Sequence, residues 1–329
     1  ISVPLVLNFH GYTSNSTAQM YYGDFRPIAD TANFLVVHPM GTLDGSNQPY
    51  WNADWGGTVD DIGFTAALID TLSIEYNINQ ERVYSTGMSN GGFMSYTLAC
   101  SLSNRIAAIA SVTGSMNITQ TFNCNPQHPT PVMEIHGTAD ATVPYNGSAG
   151  VEPIADVLSY WVGFNNCNST AIFNNVPNIN TTDGCTAEHY VYKNGNNGVE
   201  VEHYKIINGE HTWPGAPVVT GITNYDFNAS EKIWQFFAQY DINGKINSTD
   251  INKIEPNQTF NLYPNPTNGE LNILSDTKIE KLEIFDVNGR ILREFNNSSS
   301  IVISELENGI YWLKIYSEGK NEVKKIIKN

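Results

Sequence analysis

The segment Arg82-Val-Tyr-Ser-Thr-Gly-Met-Ser-Asn-Gly-Gly-Phe-Met94 predicts a short buried strand that turns at once into a helix. The turn is Gly87-Met88-Ser89-Asn90-Gly91, which fits the G-x-S-x-G pattern of a nucleophile elbow. Such a turn exposes the serine hydroxyl at the positive N-terminal end of the helix, where charge on a substrate oxygen is stabilised. The pattern also fits a plain turn with a capping serine, so the prediction depends on partners elsewhere in the chain.

Strands and helices alternate on both sides of this segment as far as residue 240. Apolar runs predict strands at residues 3–9, 34–38, 82–86, 107–112, 132–135 and 199–207. Helices are predicted at residues 25–32, 60–76, from 91 onward, 153–164 and 229–240. The alternation predicts an α/β fold with a mostly parallel sheet, which would bind its ligand at the carboxyl ends of the strands. Asp60 and Asp61 fit a helix cap and an acidic first turn better than a catalytic pair.

The charge of the chain limits its partners. The formal net charge is −16, and residues 1–240 carry −14 of it, with 6 Lys and Arg against 20 Asp and Glu. This acidity argues against nucleic acid and anionic membrane surfaces as partners. No run of 18 apolar residues occurs, so we predict no membrane span.

The cysteines favour an oxidising compartment, because their number is even and the chain is rich in Asn, Thr and Ser. Three pairings are possible, and we predict that near neighbours pair, Cys100 with Cys124 and Cys167 with Cys185. No C-x-x-C pair occurs, which argues against a zinc or thioredoxin-like site. We predict neither a metal nor another cofactor.

A serine hydroxyl needs a base to take its proton, and histidine is the usual base. Of the seven histidines, His211 follows the last strand of the predicted sheet, in a loop that could reach back to Ser89. His203 lies within that strand and His189 in a polar region, so they fit less well. The order of serine, acid and histidine along the chain also favours His211.

The acid that orients the imidazole is predicted to be Asp140, which follows the fifth strand. Its alternative role is a turn or cap. Asp183 and Glu210 are rivals on spacing, although Glu210 adjoins the histidine and adjacent loop residues usually point apart.

The oxyanion hole needs two N–H groups. We predict those of Asn90, directly after the nucleophile, and Tyr12, in the loop after the first strand. Four loop aromatics could line a cleft for aromatic groups or could simply pack: Tyr50, Trp51, Trp55 and Trp213.

Five motifs in residues 3–240 resemble the secreted feruloyl esterase and polyhydroxybutyrate depolymerase family of α/β-hydrolases. They are His10-Gly11-Tyr12, Val59-Asp-Asp-Ile-Gly-Phe64, Gly87-Met-Ser-Asn-Gly-Gly92, His136-Gly-Thr-Ala-Asp140 with Val143-Pro-Tyr145, and His211-Thr-Trp-Pro-Gly215. The resemblance implies a triad of Ser89, Asp140 and His211, with Tyr12 and Asn90 as oxyanion donors.

The start of the chain also bears on the fold. Ile1 begins almost inside a strand and is not an initiator Met, from which we infer that a targeting segment precedes it. The resemblance implies two further strands before the first, so that the strand at residues 34–38 becomes an exposed edge.

After residue 240 the pattern changes. Residues 241–259 are polar and rich in Asn, which predicts a linker, and residues 260–329 contain short alternating runs, which predict a small antiparallel β-sandwich. These runs resemble the C-terminal sorting domain of type IX secretion. The motifs are Leu262-Tyr-Pro-Asn-Pro-Thr-Asn-Gly269, Glu283-Ile-Phe-Asp-Val-Asn-Gly289, Leu306-Glu-Asn-Gly-Ile-Tyr311 and Lys324-Lys-Ile-Ile-Lys328.

The second resemblance implies the type IX secretion machinery as a partner. It also implies a protein that is secreted, or carried on the cell surface, by a Gram-negative bacterium, with removal of the domain on export. An accessory substrate-binding sandwich is the alternative.

The sequence therefore predicts a secreted serine esterase that hydrolyses carboxylic esters through an acyl-enzyme on Ser89. The first resemblance implies feruloyl or acetyl esters of plant polysaccharide, or a short-chain polyester such as polyhydroxybutyrate, as substrates. A catalytically silent carbohydrate- or surface-binding protein and a peptidase of the same fold are the alternatives. A binding protein need not retain serine, acid and histidine together, which argues against that alternative.

Overall fold

The alternating pattern of the sequence forms one mixed sheet flanked by helices, followed by a separate set of small sheets. The structure is a computed structural model. It describes residues 2–218, 220–246, 260–275, 277–286, 289–317 and 320–329. Its contacts divide the chain into two units, Ile1–Asn247 and Ser248–Asn329, and each is described by itself.

The helices of the first unit are α1 (Ser16–Tyr22), α2 (Arg26–Ala32), α3 (Asp61–Glu75), α4 (Asn90–Ser101), α5 (Ile118–Asn123), α6 (Ile154–Phe164) and α7 (Ala229–Phe237). Its strands are β1 (Val3–Phe9), β2 (Leu35–Val37), β3 (Thr42–Leu43), β4 (Pro49–Tyr50), β5 (Ile78–Met88), β6 (Ala108–Val112), β7 (Val132–Gly137), β8 (Ile172–Asn175), β9 (Thr186–Tyr192), β10 (Val201–Ile207), β11 (Tyr240–Asp241) and β12 (Gly244–Lys245). The second unit contains β13 (Phe260–Tyr263), β14 (Glu270–Ser275), β15 (Ile279–Phe285), β16 (Ile291–Asn296), β17 (Ser300–Val302), β18 (Gly309–Ser317) and β19 (Lys320–Lys328).

The main sheet has the strand order β2-β1-β5-β6-β7-β10-β9-β8. The first six strands are parallel, which confirms the predicted mostly parallel sheet. β9 and β8 extend it as an antiparallel hairpin that the sequence pattern does not predict. All four residues of β8 are exposed, so this strand lacks the alternation of apolar and polar residues that marks a half-buried strand.

The two faces of this sheet carry separate hydrophobic clusters, because side chains alternate along each strand. In β1, Leu5 and Leu7 pack into the cluster that includes α4 and α6, whereas Val6 packs into the cluster that includes α7. The edge strand β2 is half-buried along its length. Helices therefore cover both faces, and the carboxyl ends of the parallel strands remain open for a site.

The two acidic residues at the start of α3 have structural partners. The Oδ1 atom of Asp60 accepts a 2.7 Å hydrogen bond from the N–H of Gly63, as an N-cap does. The Oδ2 atom of Asp61 accepts a 2.6 Å hydrogen bond from the N–H of Asn52. The preference for capping over catalysis is confirmed at Asp60.

The predicted linker begins too early. α7 ends at Phe237, and β11 and β12 then form a hairpin within the first unit. The N–H of Ile242 donates a 2.8 Å hydrogen bond to the carbonyl of Glu81, which ties this hairpin to β5. The sequence does not indicate this hairpin, because the stretch is polar and strands of two residues are too short to show a periodic apolar pattern. Residues 247–259 of the predicted linker lie outside the described residues.

One predicted disulfide is present. Cys100, near the end of α4, is bonded to Cys124, directly after α5, across a sequence separation of 24 residues. The bond attaches the short helix α5 to the long helix that follows the elbow.

The other predicted disulfide is wrong. Cys167 and Cys185 are free thiols. Cys167 packs against the same cluster as α6, and Cys185 belongs to the cluster that contains α7, so the sheet separates the two sulfurs. The two cysteines are near each other in sequence, but the chain between them forms β8 of the sheet, and they lie in clusters on opposite faces.

The second unit contains a three-stranded sheet, β13-β14-β17, and a four-stranded sheet, β16-β15-β18-β19. Their pairings are antiparallel, and apolar side chains of both sheets share one core, including Leu271, Leu282 and Leu313. The predicted small β-sandwich is confirmed. Within the described ranges of either unit, no helix has the length and hydrophobicity needed to cross a membrane.

Candidate active site

Ser89 lies in the sharp turn between β5 and α4. Its backbone angles are φ 55° and ψ −120°, an unfavourable region for a side chain with a Cβ, and such residues often mark functional sites. The turn is tight because β1 passes directly beside it. A Cβ added to Gly91 would lie 2.2 Å from the carbonyl oxygen of Phe9, and one added to Gly87 would lie 2.6 Å from the same atom. The glycines of the motif are therefore required for close packing, and the serine projects above the end of the sheet.

The residues predicted for the site follow four strands at one edge of the sheet. Tyr12 follows β1, Ser89 follows β5, Asp140 follows β7 and His211 follows β10. These strands are parallel, so their carboxyl ends lie at the same edge, where open α/β sheets bind ligands.

The imidazole of His211 contacts the carboxylate of Asp140. The distance between His211 Nδ1 and Asp140 Oδ2 is 2.7 Å, so the ring donates its Nδ1–H to the carboxylate. The other oxygen, Oδ1, accepts the N–H groups of Thr142 at 2.8 Å and Val143 at 2.9 Å. Burial would raise the pKa of Asp140, but hydrogen bonds from His136 and His211 outweigh this and hold the pKa below its usual range. The carboxylate is therefore ionised and held from both sides.

The rival acids have other partners. Glu210 accepts the N–H of Ile222 through its Oε2 atom at 3.0 Å. The carboxylate of Asp183 accepts the N–H groups of Cys185 and Tyr225, at 3.1 Å and 2.9 Å. Neither makes a hydrogen bond to the His211 ring among the described contacts.

The rival histidines are also engaged elsewhere. His203 is buried, and its ring lies between the carbonyl of Glu134 and the hydroxyl of Tyr145. His189 contacts the carboxylate of Glu202 at 2.7 Å. Of the three histidines considered as the base, His211 is the one that lines a cavity together with Ser89.

Ser89 and His211 line the same cavity, which has a volume of about 610 Å³. Hydroxyl and amide groups lie along its wall, from Ser14, Gln19, Tyr21, Tyr22, Thr142 and Thr220. A hydroxyl nucleophile and an oriented imidazole therefore open onto a space that is large enough for a substrate, with a mostly apolar wall that carries several hydroxyl groups.

A second cavity, of about 310 Å³, shares Tyr12 and Ser89 with the first. Aromatic rings form most of its wall, from Tyr12, Tyr50, Trp51, Trp55 and Phe93. Trp55 is 47% exposed and packs its ring against Phe93, with 5.3 Å between the ring centroids. Trp51 is buried, and its indole N–H donates a 3.0 Å hydrogen bond to the carbonyl of His10.

The prediction that Trp213 lines the cleft is wrong. This side chain is 1% exposed, lies at neither cavity, and packs edge-on against Phe25 with 6.3 Å between the ring centroids. Its indole N–H donates to the hydroxyl of Ser230 at 3.2 Å. The backbone turns after His211, so the second residue beyond it enters the core.

The two predicted oxyanion donors lie beside Ser89. The N–H groups of Tyr12 and Asn90 have no protein acceptor among the described hydrogen bonds, and both residues line the smaller cavity together with Ser89. Asn90 is the first residue of α4, whose initial N–H groups have no partner within the helix. The geometry leaves these donors available to a substrate oxygen.

Two supporting groups are not predicted from the sequence. The ring of His10 donates to the carbonyl of Gly11 at 2.8 Å and accepts the N–H of Gly41 at 3.0 Å, so it braces the turn that presents Tyr12. Burial lowers the pKa of His10, which keeps this ring neutral. The sequence feature that could have indicated this role is the position of His10 directly after β1. The side-chain amide of Asn90 binds the backbone of Trp51 from both atoms, a contact that no local pattern indicates. Within the described ranges, no group of three His, Cys, Asp or Glu side chains could hold a metal ion.

Comparison with known proteins agrees with this architecture. Residues 5–160 match the Phospholipase/Carboxylesterase family, and residues 261–329 match the Secretion system C-terminal sorting domain. The first match lies within the first unit of the chain and the second within the second unit. Both resemblances predicted from the sequence are confirmed at this level. The first match includes the elbow and Asp140 but ends before His211.

Proteins similar to the first unit include esterases and a depolymerase. The chain is 27% identical to the bifunctional acetylxylan esterase/xylanase XynS20E of Neocallimastix patriciarum, over 75% of this chain and 32% of that protein. It is 29% identical to feruloyl esterase B of Piromyces equi, over 62% of this chain and 37% of that protein. It is 25% identical to poly(3-hydroxyalkanoate) depolymerase C of Paucimonas lemoignei, over 66% of this chain and 56% of that protein. The chain thus spans about a third of the length of the first two relatives and just over half of the third.

A solved structure shares the fold. The acetyl xylan esterase from Aspergillus awamori superposes with a TM-score of 0.53 at 14% sequence identity, over 72% of this chain and 89% of that chain. At this identity the likeness concerns the arrangement of the sheet and helices alone.

Proposed function

We propose that the first unit is a serine hydrolase of carboxylic esters. The observation that carries the proposal is the 2.7 Å hydrogen bond from His211 to Asp140, made by a ring that lines the same cavity as Ser89. Asp140 holds the imidazole with its Nδ1–H directed away from the cavity, so the Nε2 atom is the one left to accept a proton from the serine. The family match and the relatives support ester rather than amide hydrolysis.

The proposed reaction has two steps. His211 takes the proton of Ser89 as the hydroxyl attacks the ester carbonyl, and the N–H groups of Tyr12 and Asn90 stabilise the resulting oxyanion. The alcohol leaves with the proton from His211, and an acyl-enzyme remains on Ser89. Water, deprotonated by the same ring, then hydrolyses the acyl-enzyme and releases the acid.

The two cavities suggest where the parts of the ester bind. The leaving alcohol must receive its proton from His211, and that ring lines only the larger of these two cavities. We therefore assign the alcohol part to the larger cavity, whose hydroxyl and amide groups suit a sugar. The acyl group would occupy the smaller cavity, whose aromatic wall suits a flat or short apolar chain. Feruloyl or acetyl esters of plant polysaccharide fit this arrangement, and a short-chain polyester such as polyhydroxybutyrate is the further candidate.

The test of the proposal is the variant Ser89→Ala. We expect a normally folded protein that loses ester hydrolysis by about 10⁴-fold or more and no longer reacts with a fluorophosphonate probe. Ser101→Ala is the control, because Ser101 is an exposed serine at the end of α4 that lines neither cavity, and this variant should keep the labelling and the activity. Substantial turnover by pure Ser89→Ala protein would rule out this function. A panel of methyl ferulate, acetylated xylan and a hydroxybutyrate oligomer would then identify the ester.

We also propose that the second unit directs export through a type IX secretion system, which would place the enzyme outside a Gram-negative cell. The match of residues 261–329 to the sorting domain supports this proposal. Deleting residues 248–329 should retain the enzyme in the cell envelope of its host, while the purified truncated protein still hydrolyses soluble esters. Normal release of the truncated protein would contradict the proposal.

A further inference from the structure

A buried pair of ionisable side chains lies behind Asp140. The carboxylate of Glu134, on β7, contacts Nδ1 of His136 on the same strand at 2.9 Å, and neither side chain has any exposed surface. The opposite ring atom, Nε2 of His136, lies 2.8 Å from the carbonyl oxygen of Val143 and 3.4 Å from Oδ2 of Asp140. That oxygen is also the one that binds His211.

The acceptors around this pair determine its protons. The carbonyl of Val143 can only accept a hydrogen bond, so Nε2 of His136 carries a hydrogen. The other ring nitrogen faces a carboxylate oxygen of Glu134, and a proton must lie between these two atoms. The hydroxyl of Tyr96 donates to the second carboxylate oxygen at 2.8 Å, which satisfies Glu134. The pair therefore holds one shared proton, has no net charge, and directs its positive end toward Asp140.

The groups around the His136 ring favour its protonated form. Burial alone would lower the pKa of His136, but hydrogen bonds to Asp140 and Glu134 outweigh it and raise the pKa to about 9. By contrast, the neighbouring ring of His203 is neutral, because burial lowers its pKa to about 3. Two further ionisable groups lie beside the pair: Tyr145, which packs edge-on against His136, and Lys205, which is the partner of His136 in the register of β10 and β7.

We propose that Glu134 and His136 are positioning residues for the triad, an inference that rests on the proposed function. The positive end of the pair holds Asp140 ionised and offsets part of its attraction for a protonated His211 ring. The acid limb of the rate–pH profile therefore lies at a lower pH than it would with Asp140 alone behind the ring. The pair contacts no substrate, and its effect reaches the reaction only through Asp140.

The test is the pH dependence of kcat/KM for 4-nitrophenyl acetate. In His136→Gln the positive charge is removed while an amide donor remains. We expect this variant to move the acid limb of the profile to higher pH, by about one pH unit. His189→Gln is the matched control, because His189 forms a similar pair with Glu202 in the same sheet without touching Asp140, and its acid limb should not move. A merely structural role would lower the rate at every pH and leave the limb in place, which would overturn the proposal.

A measurement on the wild-type protein covers the case in which this variant fails to fold. Nitrogen-15 NMR of histidine-labelled protein at pH 7.5 should show a fully buried ring that carries hydrogens on both nitrogens, distinguished by slow exchange with solvent from the half-buried ring of His128, whose two nitrogens also contact carbonyl oxygens. The absence of such a ring would overturn the proposal, whether or not the protein hydrolyses esters. Loss of the proposed function is separately visible, since the wild-type protein would then hydrolyse no ester and give no pH profile.

Discussion

The side chain of Asn90 forms two hydrogen bonds with the backbone of Trp51, although 39 residues separate them in the chain. Its Oδ1 atom accepts the N–H of Trp51 at 2.7 Å, and its Nδ2 atom donates to the carbonyl of the same residue at 3.0 Å. The residue directly after Ser89 thus holds the loop that carries the aromatic wall of the smaller cavity. Asn90 combines two roles, since we also propose its N–H as an oxyanion donor.

Asn90→Ala should separate these roles, because the backbone N–H remains while the side-chain contacts are lost. We expect kcat/KM for an aromatic ester to fall roughly 10–100-fold as the loop loses its position. Asn52→Ala is the control, because Asn52 makes comparable contacts with Gly57 and Val59 in the same loop, away from Ser89. Steady-state kinetics with thermal unfolding would check this, and equal losses of activity in the two variants would contradict it.

Asp140→Asn should reduce hydrolysis by roughly 10³–10⁴-fold, because the amide permits the wrong imidazole tautomer and removes the charge that favours protonated His211. The remaining activity should have its acid limb at lower pH. Glu210→Gln should change little, since Glu210 binds the backbone of Ile222 instead. Rate–pH profiles of the two variants would check this, and a collapse of activity in Glu210→Gln alone would show that the acid is misassigned.

The same carboxylate should influence stability at low pH. Its pKa is held below the usual value, so its contribution to stability is present above the unfolded pKa of about 3.9 and is lost as the pH falls toward the lowered value. The melting temperature of the wild-type protein should therefore fall more steeply below pH 4 than that of Asp140→Asn. If the melting temperatures of the two proteins changed equally with pH between about pH 3 and 7, this prediction would be contradicted.

Trp55→Ala should change substrate preference. Its half-exposed ring packs on Phe93 beside Ser89, so its loss opens the cavity that we assign to the acyl group. We expect kcat/KM for methyl ferulate to fall about tenfold, with a smaller change for an acetyl ester. Trp213→Phe is the contrasting variant, which should lower the melting temperature and leave the preference unchanged. Equal effects of Trp55→Ala on both esters would contradict the assignment of the acyl group.

Removing the disulfide with Cys100→Ser and Cys124→Ser should reduce the free energy of unfolding by about 3 kcal/mol, because the bond closes a loop of 24 residues. Cys167 and Cys185 should be alkylated only after unfolding, because burial raises the pKa of each thiol to about 11. Mass spectrometry after alkylation of unreduced, denatured protein should find two modified cysteines. Finding no modified cysteine would indicate a second disulfide.

The sequence by itself determined the features that depend on neighbouring residues. The glycines around Ser89 indicate the elbow because only glycine allows the backbone of β1 to pass so closely. Alternating apolar runs predict the parallel sheet, and with it the edge where the ends of its strands meet. The change of period near residue 260 predicts the second, all-β unit. The roles of Ser89, Asp140 and His211 in catalysis stay predictions until the variants are measured.

The tertiary structure alone decided which distant residues meet. It placed Cys167 and Cys185 on opposite faces of the sheet, and it buried Trp213, because the face on which a side chain lies depends on the register of its strand or the path of its loop. It also brought Asn90 to Trp51 and His136 to Asp140. No local period encodes such contacts, since they arise from the order in which strands become neighbours, and a single sequence does not state that order.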